Sequence, residues 1–332
     1  MVEEEKIVQI KNLVKYYPVE GKGFFRKVSS WLHAVDNISF DIYKGETLGL
    51  VGESGCGKTT VGKLLLKLLT PTSGEVYIDS VNIFDQMQCD EKKFRNNVQM
   101  IFQDAFSSFD KRKNVENIIK EPLLINNKAK RSDVKEKVAY YLSLVGLKPE
   151  VAGQFPHELS SGQKQSVGIA RSLCLNPKFV VADEPISNVD VSVRAQILNL
   201  LKDLQERLSL TYLFISHDIR VVHYLANRIA VMYVGKIVEI AEGDELFINR
   251  YHPYTEALLS AVPVEDPYKR RDRQIIKGEV PSPVDPAPGC RFSPRCPYAI
   301  DKCKNEDPEL IEKTPNHFVA CFVDFIGTEN LD

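Results

Sequence analysis

Apolar and polar residues alternate along 7–15, and apolar residues dominate 34–51, so both stretches predict strands, with Lys44-Gly45-Glu46 as a turn before TLGLV. Between them VEGKGFFRKVSSWLH reads as a loop or an extended hairpin. Val61, Leu64, Leu65 and Leu68 recur at helical spacing over 58–69, and TPTSG ends that helix. From 112 to 147 the pattern is mostly helical, with breaks at Gly146 and Pro149. After 160 the period switches repeatedly: a helix to about Leu175, a strand KFVVA, a helix over 191–208, a strand TYLFIS, another helix, and the antiparallel pair RIAVMYVGKIVEIAEG. Such alternation predicts an α/β core with a largely parallel sheet. No internal repeat is present. The proline-rich VPSPVDPAPG at 280–289 reads as a stiff segment separating this core from a cysteine-rich tail.

Composition narrows the picture a little. With 332 residues the chain has room for about two domains. A formal net charge of -2 gives no electrostatic reason to expect nucleic acid as a partner. The basic cluster Lys269-Arg270-Arg271 with Arg273 reads as a solvated linker. No window approaches the ~20 consecutive apolar residues of a membrane span, and MVEEEKIVQI lacks the layout of a secretion signal. The expectation is a cytosolic chain whose membrane role, if any, passes through a partner.

Chemistry enters at LVGESGCGKTT. Residues 52–59 match G-x-x-x-x-G-K-[ST] in full, after a strand and at the start of a helix. Gly52, Glu53, Ser54, Gly55, Cys56, Gly57, Lys58, Thr59 and Thr60 are the candidate phosphate cradle: glycines let backbone N–H groups converge on phosphate oxygens, and the helix N-terminus adds a positive dipole. Lys58 is expected to reach the β- and γ-phosphates and Thr59 to ligate Mg²⁺. In FVVADEP the apolar strand ends in two carboxylates at the carboxyl edge of the sheet. Asp183 is expected to hold Mg²⁺, directly or through water, and Glu184 to orient the attacking water.

A third stretch, ELSSGQKQSVGIARSL, carries a family resemblance: LSSGQ looks like the LSGGQ signature of ABC transporter nucleotide-binding subunits. Tyr17 in KYYP resembles the family's adenine-stacking aromatic, with adjacent Tyr16 as the alternative, Gln103 in MIFQD its Q-loop glutamine, SNVD ending at Asp190 its D-loop, and His217 in FISHD its switch histidine. The resemblance implies a P-loop NTPase with a RecA-like core, an antiparallel β subdomain and an α-helical subdomain over about 104–165. It also implies ATP held between two cassettes facing head to tail, where Ser160, Gly162 and Gln163 of one serve the nucleotide of the other. Gln103 would sense Mg²⁺, and DAFSSFD after it would line the docking groove for a transmembrane partner. Three departures stand out: Ser161 replaces a signature glycine, Ser166 stands where arginine is common, and SNVD replaces SALD. A Cβ at 161 is expected to crowd the phosphate or force an unfavourable backbone angle, weakening one composite site.

Cys290, Cys296, Cys303 and Cys321 follow the spacing C-x5-C-x6-C-x17-C. In a reducing compartment such a cluster suggests metal rather than disulfides, and either tetrahedral Zn²⁺ or a [4Fe–4S] cluster suits four thiolates. HPYTEALLSAVP and GEVPSPVDPAPGCRFSPRCP resemble the C-terminal extension of dipeptide and oligopeptide transporter ATPases, which implies the [4Fe–4S] form as a structural staple. His317 lies close enough to be a substitute ligand but reads better as an exposed loop residue. The expected layout is a cassette over 1–249 and a metal-binding extension over 250–332. The implied function is the ATPase subunit of a peptide importer at the cytoplasmic face of the membrane. Its implied partners are a homologous, different ATPase, two permease subunits and, indirectly, an extracytoplasmic solute-binding protein. Oligosaccharide or metal-chelate import is the alternative, and a soluble, non-transport ABC ATPase the less favoured one.

Overall fold

The computed structural model describes residues 5–20, 28–261, 276 and 278–328. The middle of the insert after Glu20 and the basic cluster at 269–273 lie outside these residues. The chain forms two compact units, one of residues 42–46 and 77–214 with the N-terminal edge, the other of 9–41, 47–76 and 215 onward.

In the second unit, Thr47–Val51 pairs in parallel with Arg228–Tyr233, Leu48 opposite Arg228 and Val51 opposite Val231. Lys236–Glu242 folds back antiparallel on Arg228–Tyr233 through a turn with Val234 and Gly235 at positive φ. The strand His317–Val319 then adds antiparallel to Lys236–Glu242, Glu239 opposite Val319, and Ile311–Thr314 pairs with it in turn. All five residues of Thr47–Val51 are buried, as a strand covered on both faces requires. The long strands Lys6–Glu20 and Val28–Tyr43 neighbour each other, with Ser73–Ile78 on the other side of Lys6–Glu20. The proline-rich stretch is not a free spacer: Leu32 bridges Val284, the His33 N–H donates to the Pro283 carbonyl (2.8 Å), and the Asp285 N–H donates to the Trp31 carbonyl (2.9 Å).

In the first unit, Val98–Ile101 and Phe179–Asp183 run parallel, Val98 opposite Phe179 and Ile101 opposite Ala182. Their shared direction brings the residues after both strands to one sheet edge. Phe179, Val180, Val181 and Ala182 are completely buried. The helices Val115–Ile125 and Val134–Leu144 lie in the stretch 112–147 expected to be mostly helical, Gly146 (φ 71°) comes after the second of them as the break its sequence suggests, and Ser161–Leu173 is the helix expected after 160. Asn114 caps the first, its side chain accepting the Asn117 N–H. Val191–Leu208 buries Ile197, Leu198, Leu201 and Leu204, spaced along one face.

Candidate nucleotide site

The phosphate loop connects Thr47–Val51 to the helix Lys58–Leu65, as its sequence predicts. Gly57 caps that helix at φ 112°, and a Cβ there would stand 2.1 Å from the Ala34 carbonyl oxygen, so only glycine fits. Lys58 is buried, and its ammonium donates to the carbonyls of Gly52 (2.7 Å) and Glu53 (3.0 Å) and contacts Cys56 Sγ (3.6 Å). The lysine thus folds over its own loop. Cys56 is a buried filler, its thiol pKa pushed up by burial. Ser54, Gly55 and Thr59 are exposed and Thr60 half-buried.

In the first unit, Asp183 ends its strand buried, while Glu184 turns into a left-handed backbone (φ 45°) that residues with a Cβ rarely adopt. Ser187 secures this turn, its N–H (3.2 Å) and hydroxyl (3.0 Å) both donating to the Glu184 carbonyl. Gln103, on the exposed segment after Val98–Ile101, donates from Nε2 to Glu184 Oε2 (3.3 Å), and Asn188 Nδ2 donates to the Gln103 carbonyl (3.3 Å). Two motif residues 81 positions apart in the chain therefore meet. The SNVD asparagine joins them, a role that its sequence context does not suggest. A cavity of 210 Å³ beside them is lined by Gln103, Asp104, Phe106, Ser161, Lys164 and Asn188, among others.

The signature opens the helix Ser161–Leu173 through a capping box. Ser160 Oγ accepts the Gln163 N–H (3.3 Å), and Gln163 Oε1 accepts the Ser160 N–H (3.0 Å). Gly162 is required by packing, since a Cβ would come within 2.6 Å of Val193 Cγ1. Ser161 departs from the expectation of backbone strain: it is the first helical residue, outside the left-handed region, and its hydroxyl donates to Asp190 Oδ2 (2.8 Å). The unusual serine ties the signature to the D-loop.

Tyr16 and Tyr17 separate cleanly. The Tyr16 hydroxyl donates to Asp36 Oδ1 (2.6 Å) and its ring stacks on His33 at 3.8 Å between centroids, so it is committed to the fold. Burial and the hydrogen bond to Asp36 raise its pKa. Tyr17 is half-buried, with Lys15 Nζ 5.1 Å from its ring centre. His217 is exposed immediately after the buried strand Thr211–Ser216.

The cysteine region behaves less simply. Among the described residues, no group of three or more His, Cys, Asp or Glu side chains is arranged to hold a metal ion, so the expected metal-binding character of the extension is not shown. Two of the cysteines are nevertheless neighbours, the Cys290 N–H donating to the Cys303 carbonyl (2.8 Å). Burial pushes Cys290 and Cys296 up to about 11, and each feels the charge of Cys303 and Cys321. Burial also raises Cys321. Cys290, Cys296 and Cys321 accept backbone N–H groups from Phe292, Tyr298 and Val323, each two residues ahead. His317 corrects its expectation outright. It is fully buried, with Nε2 2.8 Å from Glu239 Oε1, and Glu239 also accepts the Tyr251 (2.6 Å) and His252 (3.2 Å) N–H groups. A residue that reads as loop from its neighbours sits on a strand paired on both sides, with Lys236–Glu242 and with Ile311–Thr314.

Comparison with known proteins decides the family. The ABC transporter family matches residues 35–187, and the oligopeptide/dipeptide transporter C-terminal region matches 238–303. The oligopeptide transport ATP-binding protein AppF of Bacillus subtilis is 47% identical over 323 residues, 96% of this chain and 97% of the relative. This chain belongs to the ABC transporter ATP-binding proteins of the oligopeptide/dipeptide class. The dipeptide transport ATP-binding protein DppF of Haemophilus influenzae is 44% identical, covering 96% of this chain and 97% of its own length. A dimeric ATP-binding cassette solved with ADP and Pi superimposes with a TM-score of 0.61 at 28% identity, over 71% of this chain and 98% of that one. CbiO1 of Clostridium perfringens, part of the cbiONQ transporter complex, gives 0.62 at 26%, over 74% of this chain and 91% of its own. As an ABC ATPase subunit the chain is an enzyme that hydrolyses ATP with Mg²⁺. Among the described residues, no helix is long and apolar enough to cross a membrane.

Proposed function

We propose that this chain powers the import of dipeptides or oligopeptides from the cytoplasmic face of a membrane, as one of two ATPase subunits bound to two permease subunits. The observation that carries the catalytic assignment is the Gln103–Glu184 hydrogen bond beneath a strained Glu184 backbone, which holds a carboxylate ready to orient water. The phosphate loop binds ATP, Lys58 exchanging its loop carbonyls for β- and γ-phosphate oxygens. Thr59 and Asp183 supply the hard oxygen donors that Mg²⁺ requires, the buried carboxylate at the strand end being suited to a cation, and Mg²⁺ supplies charge neutralisation. Glu184 polarises the attacking water, His217 contacts the γ-phosphate and Tyr17 stacks on adenine. Ser160, Gly162 and Gln163 serve the nucleotide of a homologous, different partner, with Asp190 at the same interface. A solute-binding protein delivers the peptide to the permeases. The cassette over 1–249 and the extension over 250–332 are the functional divisions.

The four cysteines hold a [4Fe–4S] cluster in this reading, with Zn²⁺ as the alternative. Partly buried thiols within each other's field, three of them receiving backbone N–H bonds, suit a group that keeps thiolates ionised. Its contribution is structural: metal–thiolate bonds draw together a loop-rich tail. Iron and zinc analysis of anaerobically purified protein tests this; protein with neither metal contradicts it. The transport reading is tested in proteoliposomes holding the complete importer. Oligopeptide-loaded binding protein should stimulate ATP hydrolysis; stimulation by an oligosaccharide or metal chelate instead would overturn the peptide assignment.

A further inference from the structure

The segment GCRFSPRC at 289–296 reaches the phosphate loop. Arg295 is almost fully buried, its side chain 9% exposed, and its Nη1 lies 3.0 and 3.2 Å from the two carboxylate oxygens of Glu53, the second residue of the loop. The same nitrogen donates to the Tyr233 hydroxyl (3.2 Å). Burial works against the guanidinium charge, but the bonds to Tyr233 and Glu53 outweigh it and raise the Arg295 pKa. Glu53 is also held along its backbone: its N–H donates to the Tyr254 hydroxyl (2.9 Å), and its carbonyl accepts Lys58. Phe292, 1% exposed, packs its ring against Tyr233 (5.3 Å) and Tyr254 (5.4 Å), fixing the approach of the segment. Arg291, the other arginine between Cys290 and Cys296, pairs with Asp36. The loop's other flank borders a cavity of 260 Å³ lined by Glu53, Ser54, Gly55, Cys56 and the proline-rich residues 280–283.

We propose that Arg295 is a positioning residue for ATP. It neutralises the one carboxylate inside the phosphate loop and holds Glu53, and through it the carbonyl that Lys58 grips, in the conformation that receives the triphosphate. Charge and geometry each add a consequence. An unpaired Glu53 leaves a negative charge on the loop that receives the phosphates, where partial burial weakens solvent screening. A Glu53 side chain no longer held by Arg295, with only the backbone bonds to Tyr254 and Lys58 remaining, must also be ordered when nucleotide binds, which adds a smaller loss of apparent affinity without touching the chemical step. One peptide bond separates Arg295 from Cys296, so whatever orders the thiol group also orders the guanidinium. This inference rests on the nucleotide-binding reading.

The test is titration of full-length wild type, Arg295→Ala, Arg295→Lys and the double variant Arg295→Ala/Glu53→Gln with a fluorescent Mg-ATP analogue, alongside ATPase kinetics of the assembled importer. Arg295→Ala should raise Kd and KM about tenfold, the scale of one charge-assisted pair, with kcat within about twofold. Arg295→Lys, which keeps the charge but not the planar fork, should recover part of the affinity. Glu53→Gln should recover most of it in the alanine background, because the repelling charge is gone. Thermal unfolding of each variant reports folding, and the rescue by Glu53→Gln separates a charge effect from general damage. Wild-type affinity in Arg295→Ala, or a loss that Glu53→Gln leaves unrepaired, overturns the inference. A wild type that binds no Mg-ATP overturns the nucleotide reading, and this inference with it.

Discussion

His252 makes the stability of this protein depend on pH with a slope that can be worked from the structure. It is 1% exposed, its Nδ1 accepts the Tyr254 N–H (3.0 Å) to cap the helix Pro253–Ser260, and burial lowers its pKa from 6.5 to about 3. In the folded chain the ring therefore stays neutral where the unfolded chain would protonate it. Below pH 6.5 the unfolded state binds one more proton, so stability falls as pH falls, by about 1.4 kcal/mol per unit for this group. Between pH 7.5 and 5.5 the unfolded ring passes from about one-tenth to nine-tenths protonated, a loss of about 1.4 kcal/mol. That loss does not depend on the exact folded value, only on its lying well below 5.5. Substituting His252→Asn keeps an oxygen able to accept the Tyr254 N–H but removes the titration. Urea unfolding at both pH values should find the variant less stable at pH 7.5, with the gap narrowed by about 1.4 kcal/mol at pH 5.5, other titrating groups cancelling in the comparison. Equal pH dependence of wild type and variant would refute the reasoning. The residue matters to the site because Tyr254, on the helix it caps, holds the Glu53 N–H.

Other perturbations reach the site more directly. Gly57→Ala drives a Cβ to 2.1 Å from the Ala34 carbonyl at a φ of 112°, so it should cost about 3 kcal/mol of stability in denaturant titration and abolish Mg-ATP binding. Tyr17→Ala should weaken nucleotide binding about tenfold through lost stacking. Tyr16→Phe should leave affinity alone and lower the melting temperature, because its hydroxyl serves Asp36. Ser161→Gly removes the exposed bond to Asp190 and should slow ATP turnover of the paired subunits about two- to fivefold; a faster variant would restore the view that Ser161 crowds the phosphate.

The parts of the site legible in the sequence were those whose chemistry is local. LVGESGCGKTT specifies its own strand, turn and helix, and Gly57 needs its positive φ whatever lies elsewhere. The two carboxylates of FVVADEP belong to an apolar run ending at a sheet edge. The parts that were not legible depend on contacts between distant residues. Arg295 and Glu53 are 242 positions apart, and nothing near either one announces the pair. His317 looks exposed beside Pro315 and Asn316, yet pairing of its strand with Lys236–Glu242 carries it onto buried Glu239. The proline-rich segment reads as a spacer because proline cannot extend a central strand, but the Pro283 carbonyl still accepts the His33 N–H. Tyr16 and Tyr17 are told apart only by Asp36 and His33, which the spacing of KYYP does not reveal.

The proposed chemistry turns on Glu184, with Gln103 bonded to it, activating water for hydrolysis of ATP held by the phosphate loop. Mg-ATP affinity and turnover of wild type and Glu184→Gln, compared in the assembled importer, test that role without an intermediary. Affinity should be unchanged and kcat reduced about 100-fold or more, the loss of a positioned general base. Turnover within a few-fold of wild type would contradict the assignment of Glu184.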